Sequence, residues 1–368
     1  MEQSHLKSLN SLDKVVIATH DKKFHVDDVG AVSLLTGYLK STDTEVSVIR
    51  TRELALLENA DILVDVGGVY DPDIFRYDHH QVNCNETFSS STTIPMSSIG
   101  MVWKHHGKDI LIRYIESHES FCLIENWQEH IESLHREVYM KIIQELDAHD
   151  NGIQMIEGGR RNYWTNLHLA SVISSSNTFN TNDEEKQMVA FRRAMELFGN
   201  IFELKLSEII RKYFDYQTNL TTVKNLLDNT TEDFLIIVNQ RINTIFTCLN
   251  KLDPKYRIKF LIIKESDETE YTVKTRSRKE NPYYPIIPLN TEEVLREKLD
   301  DIVFVHKNLF IAKTKSLQSA IEIVKLACQG DESLKVLAPR KCPLSRTWMV
   351  IGGIVGVVGG IFIYHNSN

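Results

Sequence analysis

The period of apolar and polar positions changes several times along the chain, and each change marks an element. Val15-Val16-Ile17-Ala18 is a short β-branched run suited to a strand buried on both faces of a parallel sheet. It ends at Thr19-His20, and helical periodicity from about Asp27 to Leu39 predicts a helix. Glu45 to Ile49 alternates as a strand. Asp61 to Val66 is a second buried-strand pattern, stopped by Gly67-Gly68. Strand–helix–strand alternation implies a parallel α/β sheet. From Met96 the pattern turns helical and continues, with breaks, through Leu146; Asn151-Gly152 and Gly158-Gly159 punctuate its end. A long helix is expected from about Glu184 to Tyr216, carrying Phe191, Ala194, Met195, Phe198 and Phe202 on one face.

The second half reads as a smaller α+β domain. Its strands are expected at Phe234–Val238, Ile258–Ile263, Tyr271–Lys274 and Ile302–Val305, and its helices near Thr244–Leu252, Glu292–Leu299 and Leu317–Ala327. The expected organisation is an α/β domain over 13–170, a helical connector over 171–228, the α+β domain over 229–330, a linker over 331–347 and an apolar tail over 348–364.

That tail, Trp348 to Tyr364, carries no charge over 17 residues. As a helix it would be about 26 Å long, at the short edge of a bilayer span. Trp348 and Tyr364 bracket it as interfacial aromatics, and Arg340, Lys341 and Arg346 flank its start. The alternative is a buried element of the preceding domain, which the many glycines disfavour. The expectation is a single C-terminal transmembrane helix: a tail anchor in the mitochondrial outer membrane or endoplasmic reticulum, with the rest of the chain facing the cytosol. Gly352, Gly356 and Gly360 recur every four residues and offer a smooth face for homodimer contact.

Composition narrows the classes. A chain of 368 residues with 42% hydrophobic and 25% charged residues is ordinary globular protein, not a disordered, collagenous or disulfide-stapled one. The net charge of −8 argues against nucleic-acid binding by bulk charge, so such contact requires a local basic patch. The five cysteines are scattered without a C-x-x-C pair and read as free thiols. Histidines are uneven: of 14, eleven fall between His20 and His168.

Four clusters in that region carry chemistry. His20-Asp-Lys-Lys-Phe-His25-Val-Asp27-Asp28 sits where a strand gives way to a helix, the usual place for sites in open α/β sheets. Val64-Asp65-Val66-Gly67-Gly68 puts a carboxylate at a strand end. Asp78-His79-His80 follows Tyr77, and Asp147-Ala148-His149-Asp150 ends a helix. Each alone is equally a turn or a solvated loop. Together they supply enough imidazoles and carboxylates for two divalent cations, Mn²⁺ or Mg²⁺, sharing a carboxylate, activating water and neutralising phosphate oxygens.

These residues resemble the DHH phosphoesterase superfamily, whose Asp-His-His triplet is Asp78-His79-His80, and within it the melanocyte-proliferating-gene exonuclease family. The resemblance runs through Thr19-His20, Phe24 to Asp27, Arg50-Thr51-Arg52, Val64 to Pro72, Arg76 to Gln81, Ser97 to His105 and Asp147 to Gly152, and more weakly to about Ala327. It implies a DHH-type α/β catalytic domain and a metal-dependent 3′–5′ exonuclease acting on RNA. It further implies metal ligation by His20, Asp27, Asp65, His79 and Asp150, with Asp65 as the bridge. His80 is the expected phosphate contact, His25 a further ligand or supporting group, and Asp78 the residue that orients an imidazole. Asp147 is ranked behind Asp150. His105 is a candidate phosphate contact or a plain helix residue, and His106 is expected to be exposed.

The α+β domain is expected to close over the site as a substrate clamp. Lys274, Arg276 and Arg278 alternate at period two, so one strand face could track phosphates; the alternative is a charged edge strand. Where the family tends to place a glycine pair, this chain has Ala312-Lys313, and Lys313 is the expected substitute by charge. Two other functions remain open at this point: hydrolysis of small phosphoanhydrides or short oligonucleotides, and a membrane-tethered binding protein without turnover.

Overall fold

A computed structural model describes residues 6–9, 12–82, 84–156, 158, 165–178, 183–229, 235–238, 241–242, 244–265, 269–278, 281–329, 349–350 and 364–365. The chain divides into two compact units, 1–213 and 214–368, and the division falls inside the helix Glu184–Asn229.

The first unit is built on five strands: β1 (Lys14–Thr19), β2 (Glu45–Arg50), β3 (Ile62–Val64), β4 (Tyr70–Asp71) and β5 (Arg76–Tyr77). Their order is β2-β1-β3-β5-β4; β4 runs antiparallel to β5 and the other pairs are parallel. The expected parallel α/β sheet is therefore present. β1 and β3 are buried because both faces are covered, which is why their sequences are continuous apolar runs rather than alternating ones. The helix Val26–Lys40 follows β1 and is buried along most of its length, and the helix Ser98–Glu116 packs against it. A third helical run comprises Ile131–Val138, a wider π turn over Tyr139–Ile143, and Gln144–Asp150. The two-residue strands β4 and β5 are too short to show a readable alternation in sequence.

The second unit holds a sheet of β6 (Leu235–Val238), β7 (Phe260–Lys264), β8 (Tyr271–Thr275), β11 (Ile302–Val305) and β12 (Ile311–Thr314), with a separate pair β9 (Ser277–Arg278) and β10 (Asn281–Pro285). Its order is β11-β12-β8-β7-β6, antiparallel except for β6 and β7. The helices Ile245–Leu252, Glu292–Arg296 and Leu317–Gln329 complete it. One core gathers Phe260, Ile262, Val273 and Ala312 beneath Ile323 and Val324. A second gathers Ile236, Leu261 and Ile263 with Cys248 and Leu249.

Two expectations are corrected here. Ala312 and Lys313 do not form a turn that glycines would have opened. They lie inside β12, paired with β8 on one side and β11 on the other, and Ala312 is fully buried. Nor do Lys274, Arg276 and Arg278 share one strand face, because β8 ends at Thr275 and the chain re-enters a strand only at Ser277. Among the described residues no helix is long and apolar enough to cross a membrane. Of the expected tail anchor, only Met349–Val350 and Tyr364 are described, in a short antiparallel pairing that includes His365; the rest, including Gly352, Gly356 and Gly360, lies outside the described residues.

Candidate metal centre

The carboxyl ends of three neighbouring strands deliver the site. His20 follows β1, Asp65 follows β3, and Asp78-His79-His80 follows β5. Asp65 has a left-handed backbone, φ 56°, which ends β3 abruptly, and its N–H still donates to Tyr77 O at 2.9 Å. Aspartate tolerates that conformation better than most side chains. From the first turn of the helix after β1 come Asp27 and Asp28, and Asp150 is the last residue of its helix.

These groups converge on Asp65. His20 Nε2 lies 3.3 Å from Asp65 Oδ2, and His79 Nε2 lies 3.3 Å from Asp65 Oδ1. His79 Nε2 is also 3.1 Å from Asp150 Oδ2 and 3.9 Å from Asp27 Oδ2. Ser98 Oγ, at the start of a helix, donates to Asp65 Oδ1 at 3.0 Å. Three overlapping sets of ligand atoms are close enough to hold a cation: His20, His25 and Asp65; Asp65, His79 and His80; and His25, Asp27 and Asp150. Asp78 takes a different role. Its Oδ2 accepts from Gly68 N at 2.6 Å and its Oδ1 meets His80 Nδ1 at 2.8 Å, so it ties the glycine turn to the imidazole.

The electrostatics of the cluster are those of crowded, buried carboxylates. Burial pushes Asp27 well above the usual carboxylate range, and the charges of Asp65, Asp150 and Asp28 push it further. Burial likewise raises Asp28, to about 7, although the His20 charge partly offsets it. Burial alone would raise Asp65 and lower His79. Burial is the largest single influence on each, and hydrogen bonds and opposite charges together overcome it: His20 and His79 hold Asp65 far below the ordinary range, and Asp150 and Asp65 hold His79 at about 10. Four carboxylates share this volume, and among the described residues no N–H or hydroxyl group donates to the fully buried Asp27, whose side chain meets the Asp150 carboxyl instead. A buried carboxylate without donors is costly unless a cation or proton compensates it. Hard oxygen and imidazole donors without thiolate fit Mn²⁺ or Mg²⁺.

Beside the cluster an open cavity of about 400 Å³ is lined by His20, Asp21, Lys22, Lys23, His25, Arg52, Asp65 and His80. Its rim is basic and built. Arg52 Nη1 donates to Asp21 O at 3.0 Å, and Arg50 Nη2 to Lys22 O at 2.7 Å, so two arginines fix the loop between β1 and its helix. The Arg50 guanidinium also lies over the rings of Phe24 and Phe191.

Several residues sit elsewhere than sequence suggested. Asp147 faces away from the cluster: it accepts from Ser97 N at 3.0 Å, Ser97 Oγ at 2.8 Å and Tyr139 OH at 3.0 Å. His106 is buried, not exposed, bonded to Tyr77 OH and stacked on Phe75. His105 Nε2 bonds Tyr70 OH at 2.7 Å on an exposed face. In the second unit, Lys274 is half-buried, and burial lowers its pKa. Lys313 pairs with Glu270 at 3.0 Å, and the side chain of Arg278 lies outside the described residues.

Arg276 is the clearest correction. It is 1% exposed, and its fork is spent within the fold. Nη1 reaches Asp253 Oδ2 at 2.7 Å and Ile258 O at 3.3 Å; Nη2 reaches Asn250 Oδ1 at 3.0 Å and Asp253 O at 3.1 Å; Nε reaches Asn250 Oδ1 at 3.3 Å. A guanidinium has five N–H donors, so none remains for phosphate. Sequence reasoning also gave no role to Asp28, Ser98, Lys22 or Lys23. Asp28 had a signal, its adjacency to Asp27; the others had none beyond lying inside matching motifs.

Fold and site together define an α/β protein with a carboxylate–imidazole cluster, able to hold a cation, at the carboxyl ends of its strands. Residues 16–328 match the model of the MYG1 exonuclease family, described as an uncharacterised protein family (UPF0160), and the chain belongs to that family. A MYG1 protein of Dictyostelium discoideum is 27% identical over 342 residues, covering 88% of this chain and 99% of that one. The human MYG1 exonuclease is 35% identical over 196 residues, covering 52% of this chain and 50% of its own. Among solved structures, RecJ of Thermus thermophilus in complex with Mn²⁺ aligns over 90% of this chain and 56% of that one, at 10% identity and a TM-score of 0.26.

Proposed function

We propose that this protein is a metal-dependent phosphodiesterase that removes nucleotides from RNA in the 3′–5′ direction. The observation that carries the reading is Asp27, a fully buried carboxyl that receives no N–H or hydroxyl donor among the described residues and is crowded against Asp65, Asp150 and His79. His20, His25 and Asp65 would hold one cation, and Asp27, Asp65, His79 and Asp150 a second, with Asp65 shared. When bound, such cations supply Lewis-acid stabilisation of phosphate charge and a nucleophile at neutral pH. The protein's own groups do the rest. Asp78 fixes the His80 ring at the cavity, where it contacts the scissile phosphate. Lys22, Lys23 and Arg52 complement further phosphate charge along the rim. Membership of a family with relatives named as exonucleases supports the assignment.

The test is the purified full chain with Mn²⁺ and RNA labelled at either end, beside pyrophosphate. Early release of a 3′ label as mononucleotide is expected. Release from the 5′ end first would reverse the polarity, and no release would remove the reading. A second reading, hydrolysis of short oligonucleotides or small phosphoanhydrides, gains weight because Arg276 is unavailable to track a long strand. Cleavage of pyrophosphate or dinucleotides in preference to longer RNA would select it. Trp348–Tyr364 is proposed as a membrane anchor, on its lack of charge and its aromatic and basic flanks. Resistance to carbonate extraction, lost in Val355→Arg, is the expected result.

A further inference from the structure

Asp147 is fully buried and lies outside the cation cluster, yet its contacts lead to both sides of it. Its carboxylate caps the helix Ser98–Glu116 from another part of the chain. Ser97, the residue before that helix, makes no side-chain bond to its own first turn. Instead Ser97 N and Ser97 Oγ donate to Asp147 Oδ1 at 3.0 and 2.8 Å, and the Gly100 N–H donates to the same carboxylate. Tyr139 OH donates to Oδ2 at 3.0 Å. A carboxylate offers about four acceptor sites, so this one is fully engaged and held in one orientation.

Two routes run from this anchor to the cluster. One residue beyond Ser97, Ser98 Oγ donates to Asp65 Oδ1 at 3.0 Å. Three residues beyond Asp147, on the same helix, Asp150 Oδ2 lies 3.1 Å from His79 Nε2, and that nitrogen is 3.3 Å from Asp65 Oδ1. The contacts therefore close a ring: Asp147, Ser97-Ser98, Asp65, His79, Asp150, and back along the helix to Asp147. A buried carboxylate is a costly way to join two helices where apolar packing would serve. Hydrogen bonds differ from apolar contact in fixing rotation as well as distance. We propose that Asp147 is a positioning residue that sets the placement of Asp65 relative to Asp150 on the two sides of His79. This rests on the cation reading of the centre but not on the reaction or its substrate.

The test reads Mn²⁺ affinity by calorimetry beside thermal unfolding, in the full-length chain. Asp147→Ala is expected to weaken Mn²⁺ binding about 10- to 100-fold, the usual cost of losing a group that orients a ligand. Leu111→Ala is the control: Leu111 is fully buried in the same helix, Ser98–Glu116, and outside the ring. It should lower the melting temperature and leave Mn²⁺ affinity as in the wild type. Asp147→Asn keeps one oxygen for both Ser97 donors and should recover most of the affinity. Wild-type Mn²⁺ affinity in Asp147→Ala, or an equal loss in Leu111→Ala, overturns the proposal and leaves the cation centre standing.

A double-mutant cycle tests the route itself. Because Asp147 and Ser98 act on Asp65 along one path, Asp147→Asn combined with Ser98→Ala should lose less Mn²⁺ affinity than the two single losses together. Fully additive losses contradict that path. Should Asp147→Ala fail to fold, Ser97→Ala takes its place, since it removes one donor from Asp147 and touches no ligand. Weaker Mn²⁺ binding is expected there, and unchanged binding overturns the proposal. Absence of Mn²⁺ binding by the wild-type chain removes the cation reading itself and this role with it.

Discussion

Replacing Arg276 by Ala should unfold the second unit's sheet long before it alters any contact with nucleic acid. Among the described residues, the substitution leaves the Asp253 carboxylate, 7% exposed, with the N–H groups of Arg257 and Ile258, at 3.0 and 2.9 Å. It also removes the guanidinium's hydrogen bonds to Asn250 Oδ1, Ile258 O and Asp253 O, of which Asp253 O keeps the Tyr256 N–H at 3.0 Å, and removes the cation 4.0 Å above the Tyr256 ring. Breaking a buried ion pair by deleting one partner costs about 3–5 kcal/mol, a large share of the roughly 5–15 kcal/mol that holds a domain folded. Because the chain has two units, a global melt would mix them, and amide exchange in β7 and β8 is the cleaner measure. At 1.4 kcal/mol per decade, those amides should exchange about 100- to 3,000-fold faster. Arg276→Met with Asp253→Asn removes both charges and should recover much of the loss. Wild-type exchange in Arg276→Ala, accompanied by weaker low-salt RNA binding, would mean that the guanidinium faces phosphate after all.

The remaining expectations concern the first unit. A methyl at Gly100 would lie 2.3 Å from Asp147 Oδ2, whereas one at Gly37 meets nothing within 4 Å; thermal melts should show Gly100→Ala destabilised by about 1–3 kcal/mol and Gly37→Ala slightly stabilised. Asp65→Asn, which can keep the left-handed backbone, should abolish phosphodiester hydrolysis with an unchanged circular dichroism spectrum; near-wild-type turnover would exclude a shared carboxylate. Burial pushes Asp147 up to about 7, so the folded state holds its proton more tightly than the unfolded one, and stability is lost as pH rises from about 4 through about 7. Denaturant curves across that range should show the decline in wild type and a flatter profile in Asp147→Asn. His79, held at about 10, carries a proton at neutral pH without a cation, so Mn²⁺ binding should release protons. Calorimetry in buffers of different ionisation enthalpy would detect this, and a buffer-independent heat would contradict it.

The first unit was legible because its signals are local. The apolar runs in Val15–Ala18 and Asp61–Val66 declare the buried parallel strands β1 and β3, and the residues just past those strands are where such sheets place chemistry. Asp147 shows the limit. It stands three residues from Asp150, within reach of the same helix face, yet Ser97 and Tyr139 claim its oxygens. That outcome depends on residues up to 50 positions away, which no local pattern encodes. Arg276 failed for the same reason. Alternation at period two is evidence of a shared face only if the strand continues, and β8 stops one residue short of it. β12 was hidden by its length, four residues with a lysine among them.

The π turn at Tyr139–Ile143 makes the aim of Asp150 a question of chain length rather than side-chain chemistry. A π turn closes its hydrogen-bonded ring one residue later than an α turn, so it stores one extra residue in an otherwise continuous helical run. Five residues of a π turn wind about as far around the axis as four of an α-helix, so removing one there, such as the exposed Met140, would let the run relax to an ordinary α-helix with the Asp150 carboxylate still directed at His79. A residue added there finds no such slack and would rotate everything beyond it by about 100°, so that Tyr139 loses Asp147 and Asp150 swings off His79, although none of the three had been altered. Deletions and insertions in this turn are thus unequal changes, and both differ from substitutions, which can leave the helical phase intact.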